Sequence, residues 1–197
     1  RKIMARDIHD NLGNQLASIS VYVNLINLKL KKRSQEIDDL LTNIQKYTGS
    51  LFNGTKDFIW SMDPDSDELT EVYTYIKDFG EELFEKTPID FYSDAEDLEN
   101  KEIPLLLGWS RELVLIFKEA MTNALKHSNA TEVHLNLKLE VSSFVFTLAD
   151  NGVGMDEDGR AGSVGLKSMR NRIKSLGGTI YFEKLEQGTQ VRLIVPI

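Results

Sequence analysis

Phe117-Lys118-Glu119-Ala120-Met121-Thr122-Asn123-Ala124-Leu125-Lys126-His127 is the stretch on which the reading of this chain turns. Leu113, Ile116, Phe117, Ala120, Met121 and Ala124 recur at helical spacing and predict a buried stripe. Glu112, Glu119, Asn123 and Lys126 fall on the opposite side. Acid, amide and ammonium in one row suit a metal ion bound to phosphate. The amide oxygen can ligate Mg²⁺, the carboxylate can hold a coordinated water, and the ammonium can neutralise phosphate oxygens. A solvated helix face carries the same residue types, so this segment alone leaves both readings open.

The second half of the chain adds three further signals. Asp150-Asn151-Gly152-Val153-Gly154-Met155 follows an apolar run, Phe144 to Leu148, that reads as a strand. A carboxylate at the end of a strand, followed by Gly-x-Gly, sits where the backbone turns sharply and a flat ligand can approach the main chain. Gly162-Ser163-Val164-Gly165-Leu166 opens a helix carrying Leu166, Met169, Ile173 and Leu176. A glycine-marked helix start is a natural phosphate site, because its free N–H groups point outward. Gly188-Thr189 opens the final strand. Gly165 is followed by Leu166 before Lys167-Ser168, so no P-loop is present, and no Gly-x-Gly-x-x-Gly opens a strand-to-helix turn.

Taken in order, these four elements resemble the ATP-binding domain of the GHKL superfamily, which includes gyrase, MutL and bacterial sensor histidine kinases. The resemblance covers roughly residues 88–197. It implies that ATP and Mg²⁺ bind here, with roles carried over residue by residue. Asn123 would ligate Mg²⁺, and Glu119 would position a metal-bound or nearby water. Lys126 would meet phosphate, with His127 beside it. Asp150 would accept a hydrogen bond from the adenine amino group, joined through water by Thr189. Gly152 and Gly154 would flank the base. Gly162, Gly165 and Leu166 would sit at the phosphate end of a lid. The lid, Asp156 to Val164, holds no apolar residue larger than alanine before Val164, too little to offset the ordering of its backbone. It is expected to be mobile without ligand and to close over Mg-ATP.

Residues 1–62 predict two long helices joined by the basic turn Lys31-Lys32-Arg33-Ser34. In the second, Ile37, Leu41, Ile44, Thr48, Leu51, Thr55, Phe58 and Met62 alternate steps of four and three, a sustained heptad seam. In the first, Leu12, Leu16, Ile19, Val23, Ile26 and Leu30 do the same. Two helices of ~30 residues run ~45 Å, too long and thin to bury both seams as a lone hairpin. A homodimer forming a four-helix bundle satisfies them.

Arg6-Asp7-Ile8-His9-Asp10-Asn11-Leu12-Gly13-Asn14-Gln15-Leu16 resembles the phosphoacceptor box of sensor histidine kinases. The similarity is to the branch paired with response regulators of the NarL/LuxR type. It implies that His9 accepts the phosphoryl group, with Asp10 holding its imidazole and accepting its proton. In many relatives the fourth position after this Asp is Gln or His. Here it is Asn14, and Gln15 points about 100° away. That departure bears on phosphatase activity and not on the kinase step.

The tally of 31 acidic against 23 basic residues gives −8. That argues against direct nucleic-acid binding, whose electrostatic term needs clustered positive charge. Zero cysteines exclude disulfides, thiolate metal sites and a Cys nucleophile. Pro64 and the acidic run Asp63 to Glu68 mark a junction, giving domains 1–65 and 66–197. The expected fold is α+β: an antiparallel two-helix hairpin in a dimeric four-helix bundle, then a two-layer α/β sandwich. Within the second domain the pattern predicts helix 69–84, strand 88–92, helix 105–127, strands 131–140 and 143–149, helix 165–176, and strands 178–184 and 189–195. Residues 94–101 read as a charged loop. The chain opens inside a helical pattern, so a sensor and membrane segment are expected upstream, with this core cytoplasmic beneath an inner membrane. The function expected is ATP-dependent phosphorylation of His9, then transfer to an aspartate of a response-regulator receiver domain. The rivals are a GHKL ATPase clamp, which needs a transducer domain, and a non-catalytic nucleotide-binding dimeric scaffold.

Overall fold

The computed structural model describes residues 12, 14–29, 34–96, 98, 101–155 and 164–197. His9, Asp10, Gly13, Gly162, the basic turn at 31–33 and the expected lid at 156–163 lie outside the described residues. The chain separates into two compact units, Arg1–Ser66 and Asp67–Ile197.

The first unit is built on α1 (Asn14–Lys29) and α2 (Gln35–Met62), followed by a 3₁₀ turn, Pro64–Ser66. The two helices pack as a hairpin in which Val23, Leu41 and Thr48 are buried. Gln45 Nε2 donates to Asn24 Oδ1 at 2.9 Å and ties the hairpin together. Only part of the heptad seam is covered within the chain. Ile19, Ile26, Ile37, Ile44, Leu51 and Phe58 all remain exposed, Leu51 at 60%. No helix among the described residues is long and apolar enough to cross a membrane.

The second unit is a mixed five-stranded sheet with helices packed against it. In chain order it runs α3 (Leu69–Phe84), β1 (Asp90–Glu96), α4 (Trp109–Asn123), a π turn (Ala124–Ser128), β2 (Glu132–Leu139), β3 (Ser143–Asp150), α5 (Val164–Ser175), β4 (Thr179–Lys184) and β5 (Thr189–Pro196). The sheet order is β1-β2-β3-β5-β4. The β1–β2 pair is parallel and every other pair is antiparallel. Strict alternation on β2 and β3 sends Val133, Leu135, Leu137, Phe144, Phe146 and Leu148 into the core. There they meet Ile76 of α3 and Leu113, Ile116, Phe117 and Met121 of α4, all essentially without solvent exposure. Phe146 is the hub, with its ring centroid 4.8 Å from Phe117 and 6.2 Å from Tyr73.

Helix α3 matches its expected span, and its first turn is tied to the segment before α4. Glu68 Oε2 accepts from Thr70 N, and Glu68 Oε1 accepts from Ile103 N at 2.6 Å. Two expectations are corrected. The strand read at 88–92 runs from Asp90 to Glu96, so the supposed loop at 94–101 begins as strand. Its outward positions are Asp90, Tyr92, Asp94 and Glu96, and that charge disguises an edge strand whose other face carries Phe91, Ser93 and Ala95. The helix read at 105–127 starts at Trp109, after Gly108 at φ 86°, and gives way to the π turn after Asn123.

Candidate functional site

A cavity of about 330 Å³ opens beside the ends of α4, β3 and β5. Ala120, Asn123, Ala124, His127 and Ser128 supply one wall, Asp150, Gly154 and Met155 another, Leu166 and Met169 of α5 a third, and Thr189 and Val191 complete it. A mostly apolar cleft of this size with a few converging polar groups is the usual form of a small-molecule site.

Asp150 is its most specific polar group. It ends β3 and pairs in register with Thr189, the first residue of β5. The Gly152 N–H donates to Asp150 Oδ1 at 3.0 Å. Burial raises the Asp150 pKa, while backbone N–H groups of Gly152 and Thr189 pull the other way. The turn that presents Asp150 is pinned from outside the cavity. Asn151 Oδ1 accepts from the N–H groups of Thr131 and Glu132 at 2.9 and 3.0 Å, and Asn151 Nδ2 donates to Thr131 Oγ1. Val153 N donates to Ser128 O at 2.8 Å. Gly188, at φ 92°, lies so close to the Asp150 carbonyl that no side chain could fit there.

The structure gathers Asn123, His127, Asp150, Gly154, Leu166 and Thr189 around one space. Three expected residues sit differently. Gly152 does not line the cavity but packs under Ser128, where a Cβ would overlap the Ser128 carbonyl oxygen. Lys126 is exposed and does not line it either. His127 stands seven residues after Ala120 and four after Asn123, so it shares their face of the helix, whereas Lys126 falls to one side of it. Glu119 lies against Gly165 at the start of α5, where a Cβ on Gly165 would overlap its carboxylate. Glu112, read from spacing as part of the polar row, is committed to Arg172 Nη1 at 2.7 Å.

Sequence reasoning missed Ser128, Met155 and Val191 as lining residues and treated Ala120, Ala124 and Met169 as core alone. Val191 was accessible to it, because it lies two residues beyond Thr189 on the same sheet face. Ser128 was not, since its Oγ donates to Ala124 O and accepts from Ala130 N within the unforeseen π turn.

Asn123 and Glu119 stand one helical turn apart on α4 and form the only expected donor pair for a metal. Among the described residues no group of three or more His, Cys, Asp or Glu could hold a metal ion. An amide oxygen and a carboxylate are hard donors, of the kind that hold a cation such as Mg²⁺ by one or two side chains with phosphate oxygens and water completing its shell.

Comparison with known proteins agrees with this geometry. Residues 109–197 match the family described as histidine kinase-, DNA gyrase B-, and HSP90-like ATPase. Residues 1–67 match a second family, described as histidine kinase. With both in series, the chain belongs to the sensor histidine kinases. It is 28% identical over 199 aligned positions to the sensor histidine kinase LiaS of Bacillus subtilis, covering 100% of this chain and 54% of that protein. It is 27% identical to the sensor protein VraS of Staphylococcus haemolyticus, covering 100% of this chain and 55% of that protein. The chain thus spans about half the length of these curated relatives. The fold is shared with the histidine kinase domain of a blue-light activated histidine kinase from Erythrobacter litoralis. That match has a TM-score of 0.57 at 16% identity and covers 98% of this chain and 94% of the other.

Proposed function

We propose that this chain is the phosphotransfer core of a two-component sensor: the second unit binds Mg-ATP and its γ-phosphoryl group passes to His9. The observation that carries the reading is the half-buried Asp150 carboxylate, an acceptor held in place by the Gly152 N–H, at the apolar end of a cavity that also receives Asn123. A carboxylate with free lone pairs fits the donor edge of adenine, and Met155, Leu166, Met169 and Val191 fit its faces. Thr189 stands beside Asp150 and would share that contact. Asn123 and Glu119 would hold Mg²⁺, whose charge offsets that of the phosphates.

In the transfer step a neutral imidazole nitrogen of His9 forms a bond to the γ-phosphorus as the bond to the β–γ bridging oxygen breaks. ADP leaves with the electron pair of that bond. The proton on the other ring nitrogen is held, and on transfer accepted, by Asp10. The protein contributes mainly positioning and charge neutralisation. The phosphoryl group then moves from His9 to an aspartate of a response-regulator receiver domain, of the NarL/LuxR type by resemblance. The half-exposed seam residues of α1 and α2 support a homodimer through residues 1–66. The whole protein is proposed to hold this core on the cytoplasmic side of an inner membrane, through a segment preceding Arg1.

Incubation with γ-³²P-ATP and Mg²⁺ tests the reading. The expected result is protein-bound label that is lost in acid and kept in base, as a phosphoramidate requires. Acid-stable label, or none from a protein that binds ATP, would overturn it.

A further inference from the structure

Helices α4 and α5 meet at two polar points, and these share one register. Arg172 Nη1 donates to Glu112 Oε2 at 2.7 Å. Gly165 lies against Glu119, with the position of an absent Cβ overlapping Glu119 Oε1 and only 3.0 Å from its Cδ. Glu112 and Glu119 are two turns apart on one face of α4, and Gly165 and Arg172 are two turns apart on one face of α5. The earlier residue of α4 meets the later residue of α5, so the helices run antiparallel with both contacts in step. A roll or slide of α5 that broke one contact would displace the other. Leu166 and Met169 rise from the same helix into the cavity wall. The ion-pair side chains are only 22% and 31% exposed, and the planar guanidinium fork holds its partner in a fixed direction.

We propose that the Glu112–Arg172 ion pair is a positioning clamp for phosphoryl transfer. By fixing the rotation of α5 on α4 it seats Gly165 beneath Glu119, and so sets where the Glu119 carboxylate stands. Neither clamp residue touches the substrate. Gly165 serves this arrangement by leaving space, not by an unusual backbone angle. The inference rests on the reading above, in which Glu119 acts at the metal and phosphate end of the site. A pair that merely glued the two helices would add little, because partly solvated ion pairs contribute modestly to stability.

The experiment compares wild type, Arg172→Met, Glu112→Gln, the exchange variant Glu112→Arg/Arg172→Glu, Gly165→Ala and Gly165→Ala/Arg172→Met. The readouts are the single-turnover rate of His labelling and the affinity for a fluorescent ATP analogue. Arg172→Met and Glu112→Gln are each expected to slow labelling about tenfold, since small misplacements of a catalytic group cost that much. Nucleotide affinity should fall too, because Leu166 and Met169 move with α5, but by less than the labelling rate, and the exchange variant should regain most of both. Gly165→Ala should slow labelling by a similar factor. Adding Arg172→Met to it should cost little more, because both act through the placement of Glu119. An unchanged rate in both single clamp variants, or losses that multiply in the Gly165→Ala double variant, would overturn the clamp. A Glu119→Gln variant that labels at the full rate would show instead that the role given to Glu119 is wrong, and the clamp would fall with it.

Discussion

The two units of this chain obey opposite rules of burial. In residues 67–197 the alternating strand pattern is satisfied inside the chain: Leu135, Phe144 and Phe146 are each 0% exposed. Among the described residues of 1–66 the heptad pattern is satisfied only by halves. Leu41 is 7% exposed, while Ile44, one turn on, is 43% exposed. A sheet covered by helices closes its own core, whereas a two-helix hairpin has one face more than it can cover. The difference teaches where each task can reside. A nucleotide cavity needs rigid walls, and it lies in the self-sufficient unit. A surface that must be met by other molecules lies in the unit whose packing is left unfinished.

The largest expected effect separates chemistry from assembly. Asn123→Ala should abolish Mg²⁺-dependent labelling, because it removes the amide proposed to ligate the metal, and should leave the dimer intact by light scattering. Retained labelling would move the metal site elsewhere. Next comes a contrast in stability. Phe146→Ala should cost about 3–5 kcal/mol in denaturant unfolding of the second unit, as large aromatic-to-alanine changes in packed cores do. Leu51→Asp should leave that transition in place yet abolish dimerisation of the whole chain at micromolar concentration, since it puts a charge into the seam. A Leu51→Asp protein that stays dimeric would show that the seam is not the interface.

A smaller effect concerns pH. The folded pKa of Asp150 is raised by burial. Between the unfolded and the raised folded value, the native state takes up the proton first, so this group favours folding as pH falls and opposes it as pH rises through the folded value. Nucleotide affinity runs the other way, because the protonated acid loses an acceptor. Titrating an ATP analogue downward in pH, through the raised carboxyl pKa, should therefore weaken binding while the apo protein loses no stability from this group. Asp150→Asn should bind weakly at every pH and lack that dependence. An identical pH profile in the variant would remove Asp150 from the adenine contact.

Much of this was legible in the sequence, and the exceptions share a cause. Periodicity located α3, β2, β3, α5 and β5 to within a residue or two, because each has one strictly apolar face. Asp150 and Thr189 were placed at the cavity because they sit at strand ends, where local pattern fixes position, and Gly154 because it follows in the glycine-marked turn. The π turn from Ala124 to Ser128 was not legible, because no residue in it announces the change of hydrogen-bonding. The partner of Glu112 was not legible, because Arg172 is 60 residues away. Strand β1 was cut short because three of its four outward residues are acidic, and only pairing with β2 from Asp90↔Glu132 to Glu96↔Lys138 reveals it. Local rules fail where a long-range partner decides.

The central claim is that a nucleotide bound in one unit phosphorylates a histidine in the other. His9→Ala tests it most directly, measured against wild type for fluorescent ATP-analogue binding and for transfer of label from γ-³²P-ATP. The account predicts unchanged nucleotide affinity and no acid-labile label in His9→Ala. Equal labelling of the two proteins would contradict it.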